Sequence, residues 1–449
     1  MKVELFTHQK LTAEFLSRTP RALVTSDPGT GKTLSCLEGY QQTGEGKMLV
    51  LAPLSILEPA WGGDVMKFTD YSYIVAHGKK REDAMRSRCN IVITNHDAVK
   101  WIAKDPSLLD GFTHLVVDEF TAFKNRTSQR SKALLKIANK IDKLWMLSGT
   151  PNSNSILDLW FPAFLLDKGE RLGKRFWEFR SQVCTAVQVG PSAQHLEWRD
   201  RPGVEMDVAD RLKDITIRFK FEDCIDTPPN AVHDLQLEMP QWVKRAYIQL
   251  KEASYLETED GVITSIHAGA QVRKLLQLLS GAVYDADGEP IKVHDDRYKL
   301  VMDLIAERDQ CVVAFNWKHE LNQLTHWAEK YGFSYAVING DASPKDRTRA
   351  VKRFQAGEIK VIFAHPQAAG HGLTLTAGTT TIWCSPTYNA EHYNQLNSRI
   401  YRAGQKKKTE TLRVAYKDSL ETEVYEKLEG KMTRMTDLLS FMKAFGDAA

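Results

Sequence analysis

Short apolar runs alternate with amphipathic stretches along this chain, and the alternation occurs in two blocks. In the first, Ala22–Thr25, Met48–Ala52, Ile91–Thr94, Leu115–Val117 and Leu144–Leu147 each give way to turn or polar residues and then to a helical stretch. Apolar runs this short, bounded by turn signals, predict buried strands. The helical stretches between them predict parallel pairing, because parallel neighbours need a crossover connection. The rhythm returns in Cys311–Phe315, Tyr335–Ile338, Val361–Ala364, Thr381–Cys384 and Thr411–Ala415. From about Asp158 to Arg297 the chain is instead aromatic and charged. There it predicts helices over Leu159–Leu166, Arg175–Val183, Gln241–Leu256 and Ala270–Leu279. The pattern is that of an α/β protein with two parallel-sheet lobes and a helical region between and around them.

Thr227-Pro228-Pro229-Asn230 is a stiff extended segment that no helix crosses, which places a boundary near residue 226. The lobes are then 1–225, with a helical extension, and 226–449, which opens with a helical protrusion. Ala282–Asp285 and Pro290–Val293 flank Asp287-Gly288, a two-residue hairpin turn. That turn and the loop at Gly190-Pro191 read as surface loops.

Composition narrows the class only slightly. Lys and Arg total 60 against 57 Asp and Glu, a net charge of +3 over 449 residues, so contact with nucleic acid needs locally arranged charge. Six scattered cysteines form no CxxC pair, which disfavours structural zinc and a disulfide scaffold. The opening is polar and no apolar stretch reaches a membrane span, so the expected protein is soluble, intracellular and without a membrane partner.

Chemistry enters after the first strand, at Ser26-Asp27-Pro28-Gly29-Thr30-Gly31-Lys32-Thr33, followed by a helix from about Leu34 to Tyr40. Glycines let backbone N–H groups face phosphate oxygens, and the helix N-terminus adds its positive dipole end. Lys32 then reaches the β- and γ-phosphates, and the Thr33 hydroxyl binds Mg²⁺. The strict pattern asks for Gly where this chain has Ser26. A second site follows the strand Leu115–Val117, where Asp118-Glu119 stands at the carboxyl edge used for ligands in open α/β sheets. Asp118 suits Mg²⁺, and Glu119 suits orienting and deprotonating a water.

The whole series resembles the superfamily-two helicase core, specifically the Swi/Snf-type double-stranded-DNA translocases in their minimal phage or bacterial form. Leu5-Phe6-Thr7-His8-Gln9 is similar to the Q motif, which implies that Gln9 reads adenine. Pro53-Leu54-Ser55-Ile56-Leu57, followed by Trp61, and Ile93-Thr94-Asn95-His96 resemble strand-end DNA contacts, implicating Pro53, Ser55 and Asn95. Asp118-Glu119 with the trailing Lys124-Asn125 resembles the DExx box, and Ser148-Gly149-Thr150-Pro151 resembles motif III, which implies coupling roles for Ser148 and Thr150. In the second block, Val313-Ala314-Phe315-Asn316 resembles motif IV, with Asn316, Trp317 and Lys318 as implied DNA contacts. Asn339-Gly340-Asp341 precedes a helix capped by Ser343 with Pro344 at its first position. Ala369-Gly370-His371-Gly372-Leu373-Thr374 resembles motif V, implying that Gly372 meets nucleotide and Thr374 DNA. Gln395-x-x-x-Arg399-x-x-Arg402-x-Gly404-Gln405 reproduces the family's most specific signature.

The resemblance implies tandem RecA-like lobes, ATP and Mg²⁺ as cofactors, and DNA-dependent ATP hydrolysis. Catalytic roles fall to Glu119, Gln395, Arg399 and Arg402, and the loop Asp27–Thr33 cradles the nucleotide. Arg399 and Arg402 sit three apart and on a helix share a face, suited to neutralising a transferring phosphoryl group. Two departures stand out: Thr121 where the family commonly has His, and Thr374 where Asn is more usual. Lys79-Lys80-Arg81 and Lys406-Lys407-Lys408 are candidates for tracking phosphates, and Trp61 and Trp317 for the cleft. Trp145, Trp160 and Trp383 read as core.

The function implied is a duplex-DNA translocase or helicase remodelling forks or branched junctions in replication, recombination or repair. It would act as a monomer in a bacterial or phage-infected cytoplasm, at the nucleoid, with replication or recombination proteins as partners. The alternatives are an RNA helicase, and a DNA-binding motor subunit or scaffold serving a separate nuclease or methylase.

Overall fold

The computed structural model describes residues 4–446 except 45, 153–154, 189–195, 260–264, 285–288 and 370–371. The predicted turns at Gly190-Pro191 and Asp287-Gly288 therefore lie outside the described residues, as do Ser153, Asn154, Gly370 and His371. The chain divides into two units, Met1–Asp226 with Lys431–Ala449, and Thr227–Gly430.

The first unit is built on seven strands: β1 (Arg21–Val24), β2 (Lys47–Ala52), β3 (Tyr73–Val75), β4 (Ile91–Asn95), β5 (Phe112–Asp118), β6 (Lys143–Leu147) and, after an intervening β7–β8 hairpin (Cys184–Gln188, Leu196–Asp200), β9 (Thr216–Ile217). Their order is β3-β4-β2-β5-β6-β1-β9, and every pairing is parallel. The central strands are buried on both faces, which is why they read as unbroken apolar runs in the sequence. One face carries the cluster that includes Leu49, Leu115, Met146 and Phe179, and the other carries Val24, Val50, Val116 and Trp145.

The second unit has six parallel strands, β10 (Asn230–Leu237), β13 (Cys311–Ala314), β14 (Tyr335–Ile338), β15 (Val361–Ala364), β16 (Thr380–Trp383) and β17 (Thr409–Tyr416), ordered β10-β17-β16-β13-β15-β14. The short hairpin β11–β12 (Ala282–Tyr284, Pro290–Lys292) follows the helix Ser265–Leu279. Arg297 and Glu421 form an ion pair with both side chains at 0% exposure, and Arg297 also donates to Cys384 O at 2.6 Å. Tyr416 N donates to the same Glu421 carboxylate at 3.0 Å, which ties the end of β17 to the next helix.

Besides the strands β3, β7, β8 and β9, which the apolar pattern did not mark, two further elements depart from the sequence expectation. The strand β10 begins immediately after the prolines and pairs with β17 along eight residues, although most of its side chains are exposed. Residues from Lys431 onward, expected with the second lobe, group with the first unit, because Met435 and Leu438 are buried in its core. Among the described residues no helix is long and apolar enough to cross a membrane.

Candidate functional site

The chain leaves β1 into a loop that reverses twice through left-handed glycines, Gly29 (φ 89°) and Gly31 (φ 81°), before the helix Lys32–Thr43. A Cβ on Gly31 would lie 2.3 Å from Gln9 Nε2, so only glycine fits there. Gln9 accepts Phe6 N–H at 3.0 Å and donates to Thr30 O at 3.3 Å, while His8 Nε2 donates to the same carbonyl at 2.8 Å. The first helix thereby braces the outer side of the loop. On the inside, the Lys32 ammonium donates to Ser26 O at 2.8 Å and Asp27 O at 3.1 Å. Thr33 follows in the first helical turn, half-buried. Pro28 packs on Gly149, where a Cβ would come within 2.7 Å of its ring.

The edge strand supplies a clamp that sequence reasoning missed. Arg218, its side chain 4% exposed, donates to Asp27 Oδ1 at 2.7 Å and to Thr25 O at 2.5 Å. Phe221 N donates to the other Asp27 oxygen at 2.9 Å. Ser26, which departs from the glycine of the strict pattern, accepts Phe219 N–H on its hydroxyl at 3.1 Å, a bond glycine cannot make. The available signal was the alternation Ile215, Ile217, Phe219 around Arg218, a strand pattern with one buried cation.

Asp118 ends β5 at 8% exposure, the carboxylate held by Trp61 Nε1 at 2.9 Å and Glu119 N at 3.1 Å. Trp61, a sequence candidate for the cleft, is fully buried instead; its indole N–H meets a carboxylate inside the fold. Burial and the adjacent Glu119 charge push the Asp118 carboxyl up to about 6, against the pull of Trp61 and Lys32. Burial lowers Lys32, opposed by Glu119, Asp118 and Asp27. Burial raises the Cys36 thiol, and the Asp118 charge adds to it. Glu119 is left-handed (φ 52°), a strained conformation for a non-glycine residue, and accepts from Ser148 Oγ at 3.2 Å. Ser148 Oγ also accepts Thr150 N–H at 3.1 Å.

These residues fit a nucleotide with Mg²⁺. The loop is a glycine cradle closed around the Lys32 ammonium, and Thr33 and Asp118 are the oxygen donors that would be offered to the metal. Mg²⁺ favours such donors, completing its shell with waters and phosphate. Among the described residues no cluster of three or more His, Cys, Asp or Glu is placed to hold a metal by itself.

In the second unit Gln395 lies on the helix Ala390–Asn397, 2% exposed, donating to Glu391 at 3.2 Å. That helix ends at Asn397, so Arg399 and Arg402 stand in the following turns and do not share a helical face. Trp383 Nε1 donates to Asn397 Oδ1 at 3.0 Å, and Arg399 O accepts Leu375 N–H at 2.9 Å, which draws the chain out of the helix. The two guanidinium groups still converge: Arg402 donates to Leu373 O at 2.7 Å and Arg399 to the same carbonyl at 3.4 Å. Both therefore brace the segment of Gly372 (φ 69°) and the half-buried Thr374.

Of the other expected contacts, Ser55 and Lys318 are exposed, and Pro53, Asn95 and Trp317 are half-buried. Asn316 directs its amide into the fold, donating to Ser385 O, Ser385 Oγ and Pro386 O within 3.1 Å. Lys79, Lys80 and Arg81 are exposed, Arg81 lying 4.6 Å over the Trp101 ring. Lys406–Lys408 are exposed, with Lys407 paired to Asp309 at 2.9 Å. Trp145, Trp160 and Trp383 are core residues.

A parallel sheet with a glycine cradle opening a helix, and an acidic pair ending a central strand, is the plan of P-loop nucleotide-binding proteins. Residues 8–278 match the SNF2-related domain and residues 296–404 the helicase conserved C-terminal domain; the chain belongs to the SNF2-related family. Membership makes it a Swi/Snf-type superfamily-two helicase, with the ATP use and DNA substrate of that family. It is 28% identical over 97% of its length to "Putative protein p41" of Acyrthosiphon pisum secondary endosymbiont phage 1, covering 98% of that protein. The "DNA annealing helicase and endonuclease ZRANB3" of Mus musculus is 24% identical over 90% of the chain, which spans only 38% of that longer protein. The Sulfolobus solfataricus SWI2/SNF2 ATPase core in complex with dsDNA aligns over 100% of this chain and 96% of its own, at 19% identity and a TM-score of 0.46.

Proposed function

We propose that this protein is a DNA-dependent ATPase that moves along duplex DNA and remodels forks or branched junctions by branch migration or annealing. The observation that carries this reading is the first unit's loop. Gly29 and Gly31 turn the backbone around the Lys32 ammonium at the start of a helix, and Gln9 braces that loop through Thr30 O, the shape a phosphate cradle requires. The annealing activity named for a relative supports the junction substrate by analogy.

In this reading the loop Asp27–Thr33 binds the triphosphate, Lys32 moving from the carbonyls of Ser26 and Asp27 to phosphate oxygens. Gln9 reads the base. Thr33 and Asp118 would hold Mg²⁺, which supplies charge neutralisation between the phosphates when bound. Glu119, oriented by Ser148, takes the proton of the attacking water. Arg399 and Arg402, with Gln395 behind them and Gly372 alongside, supply positive charge to the transferring phosphoryl group. Pro53, Ser55, Asn95, Trp317, Lys318 and Thr374 face the DNA backbone, with Asn316 placing the segment of Trp317. Contacts to backbone rather than bases make binding salt-sensitive and weakly sequence-dependent.

The test is ATP hydrolysis across single-stranded, duplex, forked and four-way DNA and RNA, with Lys32→Ala as control. Stimulation by duplex or branched DNA, lost in the variant, supports the reading; equal hydrolysis with and without DNA overturns it.

A further inference from the structure

Two segments assigned to DNA end on the same carboxylate residue. The first begins at Pro53 and the exposed Leu54 and Ser55, enters a π-helical turn at Leu57–Gly62 and delivers Trp61 into the core. Its indole N–H donates to Asp118 Oδ2 at 2.9 Å. The turn is braced from outside, since Tyr73 donates to Glu58 at 2.7 Å and its ring fills the space a Cβ on Gly62 would need. The second begins at Asn95, at the end of β4. The next residue, His96, is buried and donates through Nε2 to Asp118 O at 2.7 Å, its ring edge-on to Phe123 at 5.2 Å. Asp118 is thus gripped by its side chain from one segment and by its main chain from the other. π-Helical turns cost hydrogen-bond geometry and recur at functional positions. This one sets an indole donor against a carboxylate whose other oxygen is held by its neighbour's N–H.

We propose that Trp61 and His96 are positioning residues that transmit DNA occupancy at Pro53–Ser55 and Asn95 to the Asp118 carboxylate. The inference rests on the proposed ATPase reading and adds its regulation. DNA bound across the two segments together shifts both donors that hold Asp118, and both are required to change how well that carboxylate serves the metal–nucleotide complex. Binding linkage then makes the effect reciprocal: Mg²⁺-nucleotide tightens DNA by the same factor that DNA tightens Mg²⁺-nucleotide.

Trp61→Phe keeps an aromatic ring and deletes the N–H. In the full chain, DNA stimulation of hydrolysis falls about tenfold in this variant, the scale of a lost hydrogen bond to a charged group. DNA affinity measured by anisotropy without nucleotide stays within about twofold, because no backbone contact is removed. Calorimetric titration of ADP at increasing Mg²⁺ is the second readout. In the wild type the half-saturating Mg²⁺ concentration shifts when DNA is added, and in Trp61→Phe it does not. His96 gives an independent pair: the His96→Gln amide still donates to the Asp118 carbonyl and keeps the shift, whereas His96→Phe loses it. Stimulation and Mg²⁺ shift equal to wild type in Trp61→Phe, or equal in both His96 variants, overturn the inference alone. A wild-type chain that hydrolyses no ATP with any DNA overturns the ATPase reading and this inference with it.

Discussion

Ser148 donates to Glu119 Oε2 at 3.2 Å while accepting Thr150 N–H at 3.1 Å on the same hydroxyl, so one side chain joins the end of β6 to the end of β5. On the proposed role of Glu119, Glu119→Gln retains ADP binding and slows turnover about 10²–10⁴-fold, the range for losing a positioned base. Ser148→Ala removes the hydroxyl bond to that carboxylate, and kcat falls about tenfold with KM for ATP little changed. Steady-state kinetics with saturating DNA separate the two.

Gly31 meets Gln9 so closely that Gly31→Ala encounters both a clash and a left-handed backbone. The conformation alone costs about 1–2 kcal/mol. ADP affinity, read by calorimetry, should fall about tenfold or more. Adding Gln9→Ala removes the atoms in the way, and stability returns in part while the backbone strain remains.

The buried pair Arg297–Glu421 gives a sharper asymmetry. Arg297→Met alone strands a carboxylate at 0% exposure and should cost about 3–5 kcal/mol of unfolding free energy. Arg297→Met with Glu421→Leu removes both charges and should recover most of that loss. Denaturant titration of the wild type and the variants measures both differences.

Acid should destabilise the second unit by a route that can be partly dissected. Burial depresses His294 and His319 to about 4, so both stay neutral in the fold and gain protons first in the unfolded chain. Their contribution is full above the unfolded value of about 6.5 and is lost as pH falls towards 4, about 2 kcal/mol each by pH 5. Glu320 has the opposite sign: burial raises its carboxyl to about 7, so the fold binds its proton first and gains about 2 kcal/mol over the same range. Glu320→Gln removes that offset. Scanning calorimetry from pH 7 to 5 should show a steeper decline in the variant than in the wild type.

The central strands were legible because burial on both faces leaves an apolar run with no polar interruption, as in Met48–Ala52 or Val361–Ala364. The edge strands Tyr73–Val75 and Asn230–Leu237 were not, the first being short and half-buried and the second largely exposed with polar residues between the apolar ones, whereas the edge strand Tyr335–Ile338 was, because all four of its residues are apolar or aromatic. The phosphate loop and acidic pair were visible as local motifs. The Arg218–Asp27 clamp was hidden by the sequence separation of its partners. Trp61 was placed in the cleft because a motif records which residue follows it, not which way an indole turns. Arg399 and Arg402 were given a helical face by their spacing, and the chain leaves the helix two residues before the first of them.

Met435 and Leu438 complete the core of the unit that opens the chain, although the whole of the other unit lies between them and it in sequence. On the ribosome, the nucleotide-cradling half must therefore wait, unfinished, while its neighbour is translated. Its final packing is deferred until the helix carrying Met435 and Leu438 emerges, so truncation at Gly430 would injure the half that was synthesised first.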